Sequence, residues 1–292
     1  MTDRARGFAR YAWVVLAWNA LVVLWGAFVR ATGSGAGCGE HWPLCNGAVV
    51  PRSPALTTII EFLHRITSGV ALVAVVVLVV WSIRVFPGGH RARKWAWASL
   101  IFLIVEALLG AGLVLLSYVE KNASAGRAVY LCAHLTNTLL LLGAIAGTGW
   151  FAREARWNWR AVPGLQWAAI AAVLAAGTTG VIAALGDTIW PAVSMVEGLR
   201  QEVSGTAPLL LRLRLIHPVV AVASGVLLVL TAILSLRLGQ ARRWLIVLAL
   251  VQLIAGGVNV LLLAPVWMQI LHLALAVGVW LALVIGCLEQ QA

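Results

Sequence analysis

The sequence predicts an all-α fold: a polytopic membrane protein of eight transmembrane helices, arranged as two pseudo-symmetric four-helix bundles. Three observations predict it. Of 292 residues, 62% are hydrophobic and 11% charged, whereas soluble domains carry about 25% charged residues, so an ordinary soluble enzyme is excluded. Apolar runs recur near 11–29, 64–84, 95–117, 128–150, 163–185, 212–236, 244–264 and 267–287, each close to the roughly 20 residues that cross a bilayer as helix. Finally, the second half repeats the first. Ser68-Gly69-Val70-Ala71-Leu72-Val73 in the second span is echoed by Ser224-Gly225-Val226-Leu227-Leu228-Val229 in the sixth. Likewise Glu106-Ala107-Leu108-Leu109-Gly110 in the third aligns with Gln252-Leu253-Ile254-Ala255-Gly256 in the seventh. The halves are taken as 1–160 and 161–292, and repeats of this kind place paired sites at related positions.

Taking the spans in order, the first follows Met1 to Arg10 without a cleavage-site pattern and reads as a retained helix. The ends of the spans then alternate in charge. Arg4, Arg6 and Arg10, then Arg84, Arg91, Arg93 and Lys94, then Arg153, Arg156 and Arg160, then Arg237, Arg242 and Arg243 lie on one side, with only Asp3, Glu154 and Glu289 as acids. The other ends are nearly neutral. The positive-inside rule therefore puts both termini in the cytoplasm and the loops 30–63, 118–127 and 186–211 outside. This topology accounts for the net charge of +11. No basic run exceeds Arg91-Ala92-Arg93-Lys94 and no aromatic ladder accompanies it, so nucleic acid is not an expected partner and the lipid bilayer is. Tryptophans such as Trp42, Trp81, Trp95, Trp190, Trp244 and Trp267 near span ends fit interfacial belts.

Setting aside His41 and His90 in loops leaves His64, His134, His217 and His272, one on each even-numbered span. Every even span starts outside, and each histidine lies within about seven residues of that start, or about 10 Å of depth. A single intramembrane histidine is usually a helix-to-helix hydrogen-bonding residue. Four at one depth point instead to axial ligation of heme iron, with two histidines on neighbouring helices gripping each porphyrin edge-on. Arg65, with Arg30, Arg212 and Arg214, can pair with heme propionates or snorkel to the interface. Glu61, three residues before His64, shares its face if the helix extends that far. There it serves as a general base or charge stabiliser, or as a helix-start carboxylate. Glu106 sits in mid-span with no basic partner evident in the sequence.

The segment 31–45 combines glycines, Pro43 and two cysteines. A Cys38–Cys45 disulfide is the natural reading on an oxidising face; a zinc or copper site with His41 lacks a fourth ligand, and free thiols are the plain alternative. Cys132 and Cys287 lie in spans and read as packing residues.

With Thr32-Gly33-Ser34-Gly35, Cys38-Gly39, Trp42-Pro43-Leu44-Cys45 and Glu61-Phe62-Leu63-His64-Arg65, the chain resembles the heme A synthases, membrane enzymes that oxidise a heme methyl to a formyl group. The resemblance implies heme O as substrate in the N-terminal half, between His64 and His134 with Arg65 as a further binding residue. It implies a b-type heme as cofactor in the C-terminal half, between His217 and His272. Glu61 would be the catalytic carboxylate in oxidising the C8 methyl through an alcohol to the aldehyde, supplying heme A to terminal oxidases. The electron-withdrawing formyl raises the iron's potential. Residence in the inner membrane and association with the enzyme that makes heme O follow from the same reading, and homo-oligomerisation is compatible with it. The second half departs from the pattern: loop 186–211 has no cysteine, and Pro218 follows His217 where an arginine is common. Aligning the Ser-Gly repeats also sets His217 opposite Glu61, three residues out of register with His64. Two other classes remain: a di-heme b-type electron carrier, which has no use for Glu61, and a repeat-built transporter.

Overall fold

The computed structural model describes residues 2–153 and 162–290; the expected boundary at 160/161, with Glu154, Arg156 and Arg160, lies outside them. Ten α-helices occupy the described residues: α1 (Asp3–Ala31), α2 (Leu56–Val85), α3 (Arg91–Leu115), α4 (Ala125–Phe151), α5 (Gly164–Ile189), α6 (Met195–Val203), α7 (Leu209–Leu213), α8 (Ile216–Ser235), α9 (Gln240–Leu261) and α10 (Val266–Gln290). A 3-10 turn at Ser34–Ala36 follows α1. Eight stretches are long and apolar enough to cross a membrane, with α7 and α8 together forming the sixth. The chain is a multi-pass membrane protein.

Local chemistry sets the helix ends. Thr2 and Ser124 cap α1 and α4 by accepting from Ala5 N and Arg127 N, which satisfies amides that have no partner within the helix. α2 begins eight residues before the apolar run, because Thr58 and Glu61 in its first turns are buried against protein. The α7–α8 break has a covalent cause. Pro218 has no N–H and its ring crowds the carbonyl four residues back, and the Arg214 carbonyl accepts from His217 N instead, at 3.3 Å. Pro218 thus fits into the first turn of α8, where its missing donor costs little. The loop expected at 186–211 contains the last turn of α5, α6 and the start of α7.

Helix contacts join α1, α2, α3 and α4 in a closed ring and α5, α8, α9 and α10 in another, while α4 and α1 meet α5 and α10 along the seam. Trp280 Nε1 crosses that seam to donate to the Leu139 carbonyl at 2.7 Å. Outward faces carry Val14, Leu21, Val73, Ile101, Leu108, Val219, Leu234 and Ile254, all exposed, as a lipid-facing surface requires.

The larger of two buried hydrophobic clusters lies at one end of both rings, and a smaller one of Ala128, Leu185 and Leu210 lies at the other. The larger cluster takes Phe8, Ala12 and Leu16 from the start of α1 and Leu78 from the end of α2. It continues with Leu142 and Ile145 from the end of α4, Ala232 from the end of α8, and Trp280 and Leu283 from the end of α10. All of these lie toward the end with the chain's N-terminus. The opposite halves of α1, α5 and α10, at the level of the histidines, are mostly half-buried. Among the expected belt residues Trp42, Trp244 and Trp267 are exposed, whereas Trp81 packs edge-on against Phe8 and Trp95 stacks on Phe151.

Candidate functional site

Three rings fix the register of α1 on α2. Tyr11 Oη, Trp18 Nε1 and Trp25 Nε1 donate to the carbonyls of Ala74, Thr67 and Ile60 at 3.0, 3.2 and 3.1 Å. Donors and acceptors step by one heptad in opposite directions along the two helices, as an antiparallel pair demands. That register sets Gly26 against His64: a Cβ added there would lie 2.9 Å from His64 Cε1. The pattern recurs in every helix pair. Gly110 of α3 faces His134 Nε2 of α4 at 3.5 Å, Gly180 of α5 faces His217 Cε1 of α8 at 3.0 Å, and Gly256 of α9 faces His272 Cε1 of α10 at 3.1 Å. Each even-span histidine stands beside a glycine of the span before it.

In the C-terminal ring the His217 and His272 ring centroids are 6.4 Å apart with planes at 86°. Two imidazoles sharing one metal atom, each nitrogen about 2 Å from it, have centres roughly 6 Å apart. His217 Nδ1 lies 3.2 Å from Thr179 Oγ1, and His272 Nε2 lies 3.1 Å from Gln252 Nε2. In the N-terminal ring, His64 is within electrostatic reach of His134 and Glu106. His134 Nδ1 is 2.6 Å from Glu106 Oε1. Glu106, expected to be protonated or hydrogen-bonded and without a basic partner evident in the sequence, thus has His134 beside it. Asn137 Nδ2 donates to Glu106 Oε2 at 2.6 Å, and Thr138 Oγ1 donates to Oε1, the oxygen that faces His134.

Buried polar atoms normally have partners, yet the Nδ1 atoms of His64 and His272 have none among the described residues. With histidines in pairs, glycines that keep the space beside each ring free of a Cβ, and mostly half-buried helix faces at that level, the residues fit a flat metal macrocycle.

Glu61 is 3% exposed and lies on α2 one turn before His64. Its Oε2 accepts from Cys38 N at 2.8 Å; its Oε1 accepts from Arg65 Nε at 3.1 Å and Arg65 Nη2 at 2.5 Å. Arg65 Nη1 in turn donates to the carbonyls of His41 and Leu44 at 2.5 and 2.6 Å. Cys38 and Cys45 form the expected disulfide, so the cross-linked loop hangs directly on the Glu61–Arg65 pair. Gly37 is pressed onto the α2 backbone, where a Cβ would collide with Thr57, and Thr58 Oγ1 donates to its carbonyl at 2.7 Å.

The other arginines named as propionate partners are also engaged. Arg214 pairs with Asp187 at 2.8 Å and with Glu202, Arg212 donates to the Gly205 carbonyl, and Arg30 reaches Thr188 and Gln269 at 2.7 Å each. Among the described residues Arg65 keeps one Nη2 hydrogen of its five uncommitted.

The sequence reading aligned Gly110 with Gly256 and Glu106 with Gln252 but gave Gly110, Gly256 and Gln252 no part in the site, and it missed Gly26, Gly180 and Thr179. Glycine is too frequent here, at 28 residues, for Gly26 and Gly180 to stand out. The Tyr11, Trp18, Trp25 heptad was a usable signal, because it fixes which residue of the first span meets His64.

The chain matches the COX15-CtaA cytochrome oxidase assembly protein family over residues 9–284. It is 47% identical over 286 residues to a Thermus thermophilus protein named protoheme IX farnesyltransferase, an alignment covering 94% of this chain and 47% of that protein. The chain thus spans about half the length of that relative. A 94-residue stretch, 32% of each chain, is 45% identical to the heme A synthase of Alkalihalophilus pseudofirmus, and a stretch of the same length is 44% identical to that of Halalkalibacterium halodurans. A family match over nearly the whole chain, on a fold of eight spans with a histidine in every second one, leads to one conclusion: the chain belongs to the heme A synthase (COX15-CtaA) family.

Proposed function

We propose that the protein is a heme A synthase: an oxidoreductase that converts the C8 methyl of heme O, through an alcohol, to the formyl group of heme A. His64 and His134 hold the substrate heme, and His217 and His272 hold a b-type heme. The observation that carries this reading is the four histidines at the end of two helix rings opposite the larger buried cluster, each beside a glycine. When bound, the b-type heme supplies one-electron chemistry; the chain's own residues bind and orient. Glu61 is the catalytic carboxylate. Most of its roughly four acceptor sites are filled by Arg65 and Cys38 N–H, which supports electrostatic stabilisation of a cationic carbon over proton abstraction. Arg65 and the disulfide loop hold that carboxylate in place. An apolar groove of about 760 Å³ lined by Val105, Leu109, Ala133, Asn137 and Leu140 suits the hydrocarbon tail of a prenylated heme.

The match to half of a protein named as a farnesyltransferase supports a link with the enzyme that makes heme O. Transfer of a prenyl diphosphate relies on carboxylates that hold magnesium, and no group of three or more His, Cys, Asp or Glu side chains among the described residues could hold a metal ion, so we assign prenylation to the unmatched part of that relative. The disulfide and the alternating basic ends support residence in the inner membrane, with the termini cytoplasmic and the cysteine loop outside.

A di-heme electron carrier is the second reading, favoured by the hold that Arg65 and the loop already have on Glu61. Mass analysis of hemes extracted from purified protein, made in cells that produce heme O, separates the two. Heme B together with heme O, the hydroxylated intermediate or heme A is expected. Heme B alone overturns the synthase.

A further inference from the structure

Glu106 and Gln252 occupy matching places. Each stands four residues before the glycine that faces a histidine, on the span before that histidine, and each contacts the imidazole itself. Their chemistry differs. Glu106 is an acceptor-only carboxylate at 2.6 Å from His134 Nδ1, whereas Gln252 presents a neutral amide 3.1 Å from His272 Nε2. A carboxylate within a span is costly and is expected to have a function. This one is braced by Asn137 and Thr138, which hold it in line with the ring.

We propose that Glu106 is a positioning residue that makes His134 an electron-rich iron ligand, so that the heme of the N-terminal half has a lower reduction potential than the heme of the C-terminal half. The inference rests on the histidine pairing proposed above. A ligating histidine whose other ring N–H donates to a carboxylate is fixed in tautomer and becomes more basic. A more basic axial ligand stabilises ferric over ferrous iron and lowers the potential. The remaining two ligands add no comparable charge: His217 Nδ1 meets the Thr179 hydroxyl, and His64 Nδ1 has no hydrogen-bond partner among the described residues. The electronic difference between the halves therefore traces to a single position in the repeat.

The test is a potentiometric titration, followed by absorbance, of the full chain loaded with heme B in both sites, so that the porphyrin is the same in each. Wild type is expected to show two midpoints, with His134→Ala abolishing the lower. Glu106→Gln is expected to raise the lower midpoint and leave the upper where it is, while Glu106→Asp keeps the lower near its wild-type value. Gln252→Glu is expected to lower the upper midpoint. Unchanged midpoints in Glu106→Gln at full heme content overturn the proposal, because a merely structural brace would alter stability without a site-selective shift. If Glu106→Gln does not accumulate, an unmoved upper midpoint in Gln252→Glu overturns it instead. Wild type holding fewer than two hemes, or His134→Ala keeping both with unaltered spectra, overturns the histidine pairing and the inference with it, before any potential is compared.

Discussion

Gly26→Ala tests whether the glycines beside the histidines are there for the rings or for the helices. The added methyl would lie 2.9 Å from His64 Cε1 and 3.2 Å from Nε2. Carbon contacts settle at about 3.5–4.0 Å, so the ring must retreat by about 0.6–1 Å. Retreat carries the nitrogen away from any iron it shares with His134. Overpacking of this kind costs about 1–3 kcal/mol, equivalent to a roughly 5- to 150-fold weaker hold on the N-terminal heme. Helix propensity works the other way, since alanine in a helix interior is favoured over glycine by about 1 kcal/mol. A loss of heme therefore cannot be assigned to a weakened α1. Gly69→Ala on α2 meets nothing within 4 Å and is the matched control, with full binding expected. The assay is heme B titration of purified protein, read as heme per chain and as the Soret shift. Wild-type affinity at both sites in Gly26→Ala would refute the reasoning, and loss in Gly69→Ala as well would show that helix mobility, and not the ring contact, decides binding.

Three further outcomes are expected. Glu61→Gln keeps the shape of the site but removes its anion, and heme A formation should fall by about 10²–10³-fold while both hemes remain bound; undiminished product in cells would remove Glu61 from the chemistry. Cys38 and Cys45 should resist alkylation until a reductant is added, and the double serine variant should lose about 2–3 kcal/mol through the short loop it opens, visible as a lower midpoint of thermal aggregation. Arg214→Met leaves Asp187 and Glu202 facing each other without their cation, a change worth about 3–5 kcal/mol for a buried pair. The same thermal assay should register it far more strongly than Arg212→Met, whose guanidinium meets a backbone carbonyl at the surface.

The spans were legible because hydrocarbon imposes a long apolar run on every crossing helix, and α4 and α10 begin within a few residues of where that run starts. The start of α2 was not. Thr57, Thr58 and Glu61 break the apolar pattern, and only the cysteine loop folded over them makes a helix there acceptable. The same loop explains why the role of Arg65 was hard to read. Sequence places it beside a ligand, but its acceptors, His41 O and Leu44 O, come from a turn whose path the sequence does not specify. Glu106 had no basic partner evident in the sequence because that partner lies on the next helix and had already been given to iron. The two uses of His134 are compatible, since an imidazole has two nitrogens. The three-residue slip of His217 was visible in the repeat; in the structure the chain breaks at Arg214–Leu215 and restarts the helix one residue before the histidine.

Arg30 gives the seam a different meaning. It leaves α1 to donate to the Ala184 carbonyl and Thr188 of α5 and to Gln269 of α10, all in the other ring. A cation at that depth is tolerable only while those acceptors surround it. Neither ring is then a self-sufficient module, for all the repetition in its sequence: parting them would strand a guanidinium on one surface and leave its acceptors unsatisfied on the other. The two rings share sequence patterns, yet Arg30 ties one to the other.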